Sequence, residues 1–378
     1  MTDRDDRPMA DDPEAPPASP AMTTATPAVP AAATATGGPD PEVTPDQLSL
    51  ARRLRQPRTI VSIAVPLSII VIFVALNGDQ LSRVPGLILK ANPALAVLAF
   101  AVFYMGFPLR GYRWARLLRG TGLPIATRDA TEILFLSWLV NCVVPAKLGD
   151  VYRAWLLKIN STASLSRTFG TVFIERVLDL FAIATLGLAA GWWSFRDGMP
   201  PAIQAVFIVG FVVVGGLGLG LFTMRNFGRR IMVALPIPAR IVEFYDRFEE
   251  GVFSSVGLRA LPGLVVITGL IWATEATRLY LVVQALSFPD VQLGLSGAVF
   301  VALIGSLLTA VPLSPAGLGF VEAGVVGVLT VAYGVPLPEA TAIALLDRVI
   351  SVFSIIVLGA IAYALSSKPR GAGLTVPA

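Results

Sequence analysis

The sequence contains no histidine and a single cysteine, and only 14% of its 378 residues are charged. Without histidine there is no His-ligated haem, no His-based metal site and no nucleophilic triad built on imidazole, so acid–base work would rest on Asp, Glu, Lys or Tyr. The lone Cys142 excludes an intramolecular disulfide framework and a cysteine-based structural zinc. It reads as a small packed residue. No metal or other cofactor is expected. The chain also lacks a GxxxxGK(S/T) phosphate loop, which argues against direct use of ATP. Soluble domains carry about 25% charged residues, so this chain has too little charge to coat a surface facing water.

What it has instead is apolar. Hydrophobic residues make up 55% of the chain, and mean hydropathy is +0.73. The charges fall in clusters between apolar stretches close to the roughly 20 residues a helix needs to cross a bilayer. The expected fold is an all-α polytopic membrane protein of six to eight transmembrane helices, with two re-entrant helical hairpins among them. Net charge is +4 and the isoelectric point is near 9.4. The arginines gather at the edges of apolar runs rather than on one stripe, so nucleic acid is not an expected partner.

Residues 1–50, rich in Pro, Ala, Thr and acidic side chains, read as a disordered cytoplasmic tail without a signal peptide. The opening "DRDDRPMADDPE" reads as solubilising rather than as an arm for a partner. "RRLRQPR", ending at Arg58, precedes a first span at 60–76 and holds the N-terminus inside by the positive-inside rule. A second span, about 94–109, returns to the cytoplasm at Arg110, Arg113, Arg116 and Arg119. Residues 130–160 are too short and too broken for a full crossing, and predict a hairpin entering from the cytoplasmic face. Spans follow at about 168–193, ending in Trp192 and Trp193, and at 202–224, ending in "RNFGRR". Residues 237–258 predict an interfacial amphipathic helix. A span at 262–287, a second hairpin over 295–311 and 319–333, and a span at 340–365 complete the pattern. Lys368 and Arg370 mark the last end as cytoplasmic. The membrane domain is thus expected over 51–366, with a short tail at 367–378.

An internal repeat runs through this layout. "PAKLG" at 145–149 recurs as "PAGLG" at 315–319, and "RGY" at 110–112 recurs as "RLY" at 278–280. Each PAxLG is followed, 26 to 28 residues on, by acids and an arginine inside an apolar helix: "ERVLD" and "LDRV". With one hairpin cytoplasmic and the other external, the halves (about 94–224 and 260–365) have opposite orientations, as in many secondary transporters. The elbow residues Pro145, Gly149, Pro315, Gly317 and Gly319 break helices at membrane depth, where irregular backbone needs cover from protein or water. "GLGLG" at 216–220 and Gly187/Gly191 read as sites of close helix packing.

Glu175, Arg176, Asp179, Glu275, Arg278, Asp347 and Arg348 all fall inside apolar helices. At about 2.5–3.5 kcal/mol each, seven unpaired charges would cost near 20 kcal/mol, more than a typical net folding stability. They must pair, face a wet cavity or lie near an interface. Arg176/Asp179 and Glu275/Arg278 are three apart and can meet on one helix face. Glu175 and Asp179, four apart, would repel unless a cation lies between them. One reading is a set of salt bridges between helices. The other has Arg176 and Arg348 receive an anionic head group while carboxylates balance them. Lys147 and Glu322 are further candidates, Lys147 either as a point charge for phosphate or as a snorkelling side chain.

"NCVVPAKLGDVYRAWLL", "ERVLDLF", "VPLSPAGLGFVEAG" and "LLDRVISV" resemble, together and in order, the transmembrane family of lysylphosphatidylglycerol synthase, also called flippase-like. The resemblance covers about residues 60–365. It places Pro145, Gly149, Arg153, Glu175, Arg176 and Asp179 in the first family motif, and Pro315, Gly317, Gly319, Glu322 and Arg348 in the second. It implies handling of lipid-linked substrates: aminoacylated phosphatidylglycerol, or polyprenyl-linked sugars or hopanoids. The sequence stops at Ala378, so the soluble aminoacyl-transferase domain of the full synthase is expected to be absent, and this chain is expected not to be an enzyme. The expectation is a translocator of an anionic lipid or lipid-linked substrate in the cytoplasmic membrane. One alternative is an accessory protein docked to an envelope-synthesis enzyme. Another is a membrane-embedded transferase, for which Asp79 and Asp197 are the only external-loop acids noted.

Overall fold

The computed structural model describes residues 77–370 except 145–147, 197, 199–200, 258, 290 and 310–313, together with Ser68, Val71 and Ala75. The expected tail 1–50, most of the first span at 60–76, Pro145, Lys147 and residues 371–378 lie outside the described residues. Within them every regular element is helical, and the chain is an all-α polytopic membrane protein.

After two short helices come α1 (Pro93–Gly120), α2 (Thr127–Val143), α3 (Gly149–Asn160), α4 (Leu165–Ser194) and α5 (Pro201–Thr223). The amphipathic α6 (Ala239–Ser255) precedes α7 (Leu261–Leu286), α8 (Leu295–Leu308), α9 (Phe320–Tyr333), α10 (Leu337–Arg348) and α11 (Ser354–Leu365). By length and composition, five helical segments are able to cross a bilayer: Pro93–Gly120, Ile208–Ala234, Leu261–Leu286, Pro315–Tyr333 and Leu337–Leu365. Helix α4, 30 residues long but charged along its first half, is not one of the five. Local chemistry sets several ends. Asn92 caps α1 by accepting from the N–H groups of Ala94 and Leu95, with Pro93 at the first helical position. Gly334, at φ 65°, closes α9 in the left-handed conformation.

Two contact sets define the ends of the bundle. At one end the close of α1 lies against α6, where a Cβ on Gly120 would sit 2.7 Å from the carbonyls of Ser254 and Ser255. There Asn160, ending α3, donates to the Lys368 carbonyl at 2.8 Å, and Ser366 donates to Glu132 of α2 at 2.6 Å. At the other end Asn92 N–H bonds the Ala285 carbonyl of α7 at 2.7 Å. Ser194 at the close of α4 donates to Ser296 of α8 at 3.0 Å, and Phe195 packs on Phe300 and Tyr333. The α2–α3 hairpin therefore opens at one end and the α8–α9 hairpin at the opposite end. Their tips meet, because α2 packs on the 315–317 turn.

The first hairpin closes tightly because Gly149 has no side chain. Its N–H donates to Asn141 Oδ1 at 2.8 Å, and an added Cβ would lie 2.1 Å from the Ser137 carbonyl oxygen. Gly149→Ala is expected to destabilise the protein by about 1–3 kcal/mol through overpacking, read as a lowered thermal midpoint in detergent; an unchanged midpoint would contradict this contact. In the second elbow Ala316, Gly317 and Gly319 have φ of 51°, 70° and 80°. The two glycines adopt this region freely, and alanine only at a cost of about 1–2 kcal/mol.

Three expectations change. Arg110 and Arg113 are buried inside α1, which runs on to Gly120; only Arg116 and Arg119 are exposed at its end. Lys368 is buried against Asp129 at 3.0 Å rather than free at the membrane edge. An added Cβ on Gly216, Gly218 or Gly220 would meet nothing within 4 Å, so these glycines make no close helix approach among the described residues, although Leu217 between them packs on the core. Gly187, by contrast, faces Leu303. Helix α6 buries Gly251 and Val252 against α4 and exposes Ile241 and Phe244.

Candidate functional site

The buried charges form two linked groups. In the first, Arg113 of α1 lies between the two acids of α4, with Nη1 2.6 Å from Asp179 Oδ1 and Nη2 3.0 Å from Glu175 Oε1. It is the cation that the four-residue spacing of those acids demands. Arg113 Nη1 also donates to Thr268, and Trp272 donates to Asp179, both from α7. Arg153 of α3 approaches the other Glu175 oxygen at 2.7 Å and stacks over Trp114. Arg113 is 1% exposed, so this group is a dry core of ion pairs joining α1, α3, α4 and α7, with Asp179 at its edge.

The second group faces open space. Arg110 Nη2 donates to Glu275 at 2.6 Å, and Arg278 binds the other Glu275 oxygen and, through Nε and Nη2, both oxygens of Asp347 at 2.7 and 3.1 Å. Arg348 Nε lies 2.8 Å from Glu322, and its Nη2 donates to the Ala316 carbonyl in the elbow. Arg176 is bound by both oxygens of Asp150, at 2.7 to 3.1 Å, and reaches Asp179 only at 4.0 Å. Its expected partner three residues on is thus secondary. The Glu275–Arg278 pair on one face of α7 forms as the spacing requires.

The two outer pairs are related by one offset. Arg348 follows Arg176 by 172 residues, and Glu322 follows Asp150 by 172. In each pair an acid in the first turn of the arm leaving an elbow holds an arginine of the next long helix. A π-helical turn, Val349–Phe353, follows Arg348 directly, the kind of irregularity often found at functional sites.

These residues line a cavity of about 420 Å³, within the range of ligand-sized pockets. Its walls include the tip of α2 (Trp138, Asn141, Cys142) and the second elbow (Ser314, Ala316, Gly317). Arg110, Asp150, Arg176, Asp179, Glu275, Arg278, Glu322, Asp347 and Arg348 contribute charge; Ile183, Val301, Val321 and Val325 line an apolar part. Of the expected site residues with described side chains, Arg153 and Glu175 stand in the dry core instead.

Sequence reasoning missed three members. Arg110, Arg113 and Asp150 carry the pairing, yet the first two follow an apolar run as membrane-edge arginines do, and Asp150 opens a polar arm. The detectable signal was the three-residue spacing of Arg110 and Arg113, which puts both on one helix face. Arg110 is also incompletely satisfied. It stacks over Trp138 at 4.9 Å, and its buried Nη1 has no hydrogen-bond partner.

Oppositely opening broken helices around a charged cavity define an integral membrane protein of the polytopic, re-entrant kind. The chain belongs to the family of the lysylphosphatidylglycerol synthase TM region, whose model matches residues 60–359. A UPF0104 membrane protein of Methanocaldococcus jannaschii is 35% identical over 224 residues, 59% of this chain and 92% of the relative. A UPF0104 membrane protein of Methanothermobacter thermautotrophicus is 28% identical over 297 residues, 71% of this chain and 85% of the relative. The glycosyltransferase AglD of Haloferax volcanii is 27% identical over 310 residues, 73% of this chain but 49% of that protein.

Proposed function

We propose that this protein translocates an anionic lipid or lipid-linked substrate across the cytoplasmic membrane, without enzymatic chemistry of its own. The head group passes through the cavity while the acyl or prenyl tails stay in the bilayer. The observation that carries this reading is Arg110, which lines a cavity walled by both hairpin tips and whose buried Nη1 has no hydrogen-bond partner. An unpaired buried donor costs about 1–3 kcal/mol or more when charged, which an incoming phosphate oxygen would recover. Guanidinium matches phosphate geometry.

The halves 94–224 and 260–365 act as inverted copies, on the strength of the matched Arg176–Asp150 and Arg348–Glu322 pairs. Rocking one hairpin against the other exposes the cavity to each face in turn. Exposed Arg116 and Arg119 share an end with the closing residues of α11, which supports a cytoplasmic placement of that end in this reading. The name of the AglD relative favours a second reading within the same scheme, in which the lipid carries a glycan.

The test is leaflet exchange in reconstituted vesicles containing labelled phosphatidylglycerol or polyprenyl phosphate. Exchange of at least one of them well above protein-free vesicles is expected. Equal rates with and without protein, for both lipids, would remove this reading.

A further inference from the structure

Taken together, the charges of the cavity wall and of the dry core behind it cancel, and that limits what is able to enter. Among the described residues of the two groups, six arginines stand against six carboxylates. A phosphodiester brought in alone would leave one net negative charge in a site screened from bulk water, at a cost of several kcal/mol.

One carboxylate is held more weakly than the rest. Glu175 is shared by Arg113 and Arg153, Asp179 by Arg113 and Trp272, and Glu275 by Arg110 and Arg278. Asp347 and Asp150 each engage an arginine through both oxygens. Glu322 has Arg348 alone, through one oxygen; its Oε2 is buried and has no hydrogen-bond partner. It also stands three residues past Gly319, next to the elbow whose Ala316 carbonyl takes the other bond from Arg348.

We propose that the cavity takes up an anionic phosphodiester together with one proton, and that Glu322 receives the proton. This rests on the lipid-handling reading above. A phosphate oxygen takes Arg348 from Glu322, and the released carboxylate takes one proton from a hydronium ion of the bulk solution to become the neutral acid. One O–H bond of the hydronium breaks to leave water as the carboxyl O–H forms, and the two groups with their ligand return to zero net charge. A buried carboxylate stripped of its cation favours the protonated form. The surrounding groups keep their own partners. Asp347 of α10 and Glu275 of α7 stay on Arg278, while Asp150 and Asp179 stay beside Arg176. Among the described residues, the other titratable group lining the cavity from α2 is Cys142, and α8, packed beside α9, carries none.

The experiment uses the purified full chain with two probes that do not titrate near neutrality, short-chain phosphatidylglycerol and dimethyl phosphate. Proton uptake is read with a pH dye in weak buffer while binding is measured calorimetrically. About one proton per bound probe is expected, with the dissociation constant rising tenfold per pH unit as pH increases. Uptake with the lipid alone would identify the ligand as a lipid head group; uptake with both would identify the phosphodiester itself as sufficient. Glu322→Gln is expected to bind without proton uptake and with an affinity independent of pH. Binding to the wild-type chain without proton uptake would overturn the proposal and leave the lipid reading standing. Absence of binding by either probe, with leaflet exchange at the protein-free rate, would remove both. If Glu322→Gln fails to fold, the slope of wild-type affinity against pH still decides.

Discussion

Arg113→Ala is expected to abolish accumulation of folded protein in the membrane. The side chain is 1% exposed and binds Glu175 and Asp179 at once. Its removal leaves Glu175 with Arg153, and Asp179 with the Trp272 N–H and an arginine 4.0 Å away. Breaking a buried ion pair by deleting one partner costs about 3–5 kcal/mol, a large part of a typical net stability of about 5–15 kcal/mol. Lysine is not expected to rescue, because one ammonium does not span two carboxylates and Thr268 as the guanidinium fork does. Combining Arg113→Leu with Asp179→Asn is expected to restore folding, since it removes one charge of each sign and leaves Glu175 paired with Arg153. The readout is the yield and thermal midpoint of monodisperse protein after detergent extraction. A monodisperse Arg113→Ala protein with the wild-type midpoint would refute the role given to this core.

Arg348→Gln is expected to act in the opposite way, sparing the fold and stopping transport. Arg348 lines the cavity, and the acid it leaves behind is the one able to take up a proton and stay neutral. The lost interaction is a charge-assisted bond to the ligand, about 1.5–3 kcal/mol, so leaflet exchange should fall roughly ten- to hundred-fold. Arg176→Gln, at the matched position, should behave alike. Normal yield with lost exchange is the expected pattern. Normal exchange, or loss of the protein itself, would assign Arg348 to the scaffold.

The contrast between these two arginines marks how far the sequence could be read. Charges inside apolar runs stand out by their insertion cost, so Glu175, Asp179, Glu275 and Arg348 were visible as residues needing partners. The elbows were visible because proline and glycine interrupt apolar runs of half a bilayer's length. Partner identity was not visible. Arg113 meets acids more than sixty residues away, and Arg278 meets Asp347 across a similar gap, and no local periodicity reports such pairings. Hydropathy also misassigned Arg110 and Arg113, since an arginine ending a span and one buried in its continuation look alike in one dimension. Only the spatial course of α1 separates them. The repeat offset was legible at PAxLG, but its most telling instance, Asp150 with Glu322, required seeing which acid each arginine holds.

The clasp at Lys368 bears on how the chain is made. Asp129 and Asn160, at the open end of the first hairpin, are joined to residues more than two hundred positions later. While the ribosome is still translating, that hairpin therefore enters the membrane before its fastener exists. The earliest re-entrant element to be synthesised is secured only late, and insertion machinery or neighbouring helices must shelter it until Lys368 arrives.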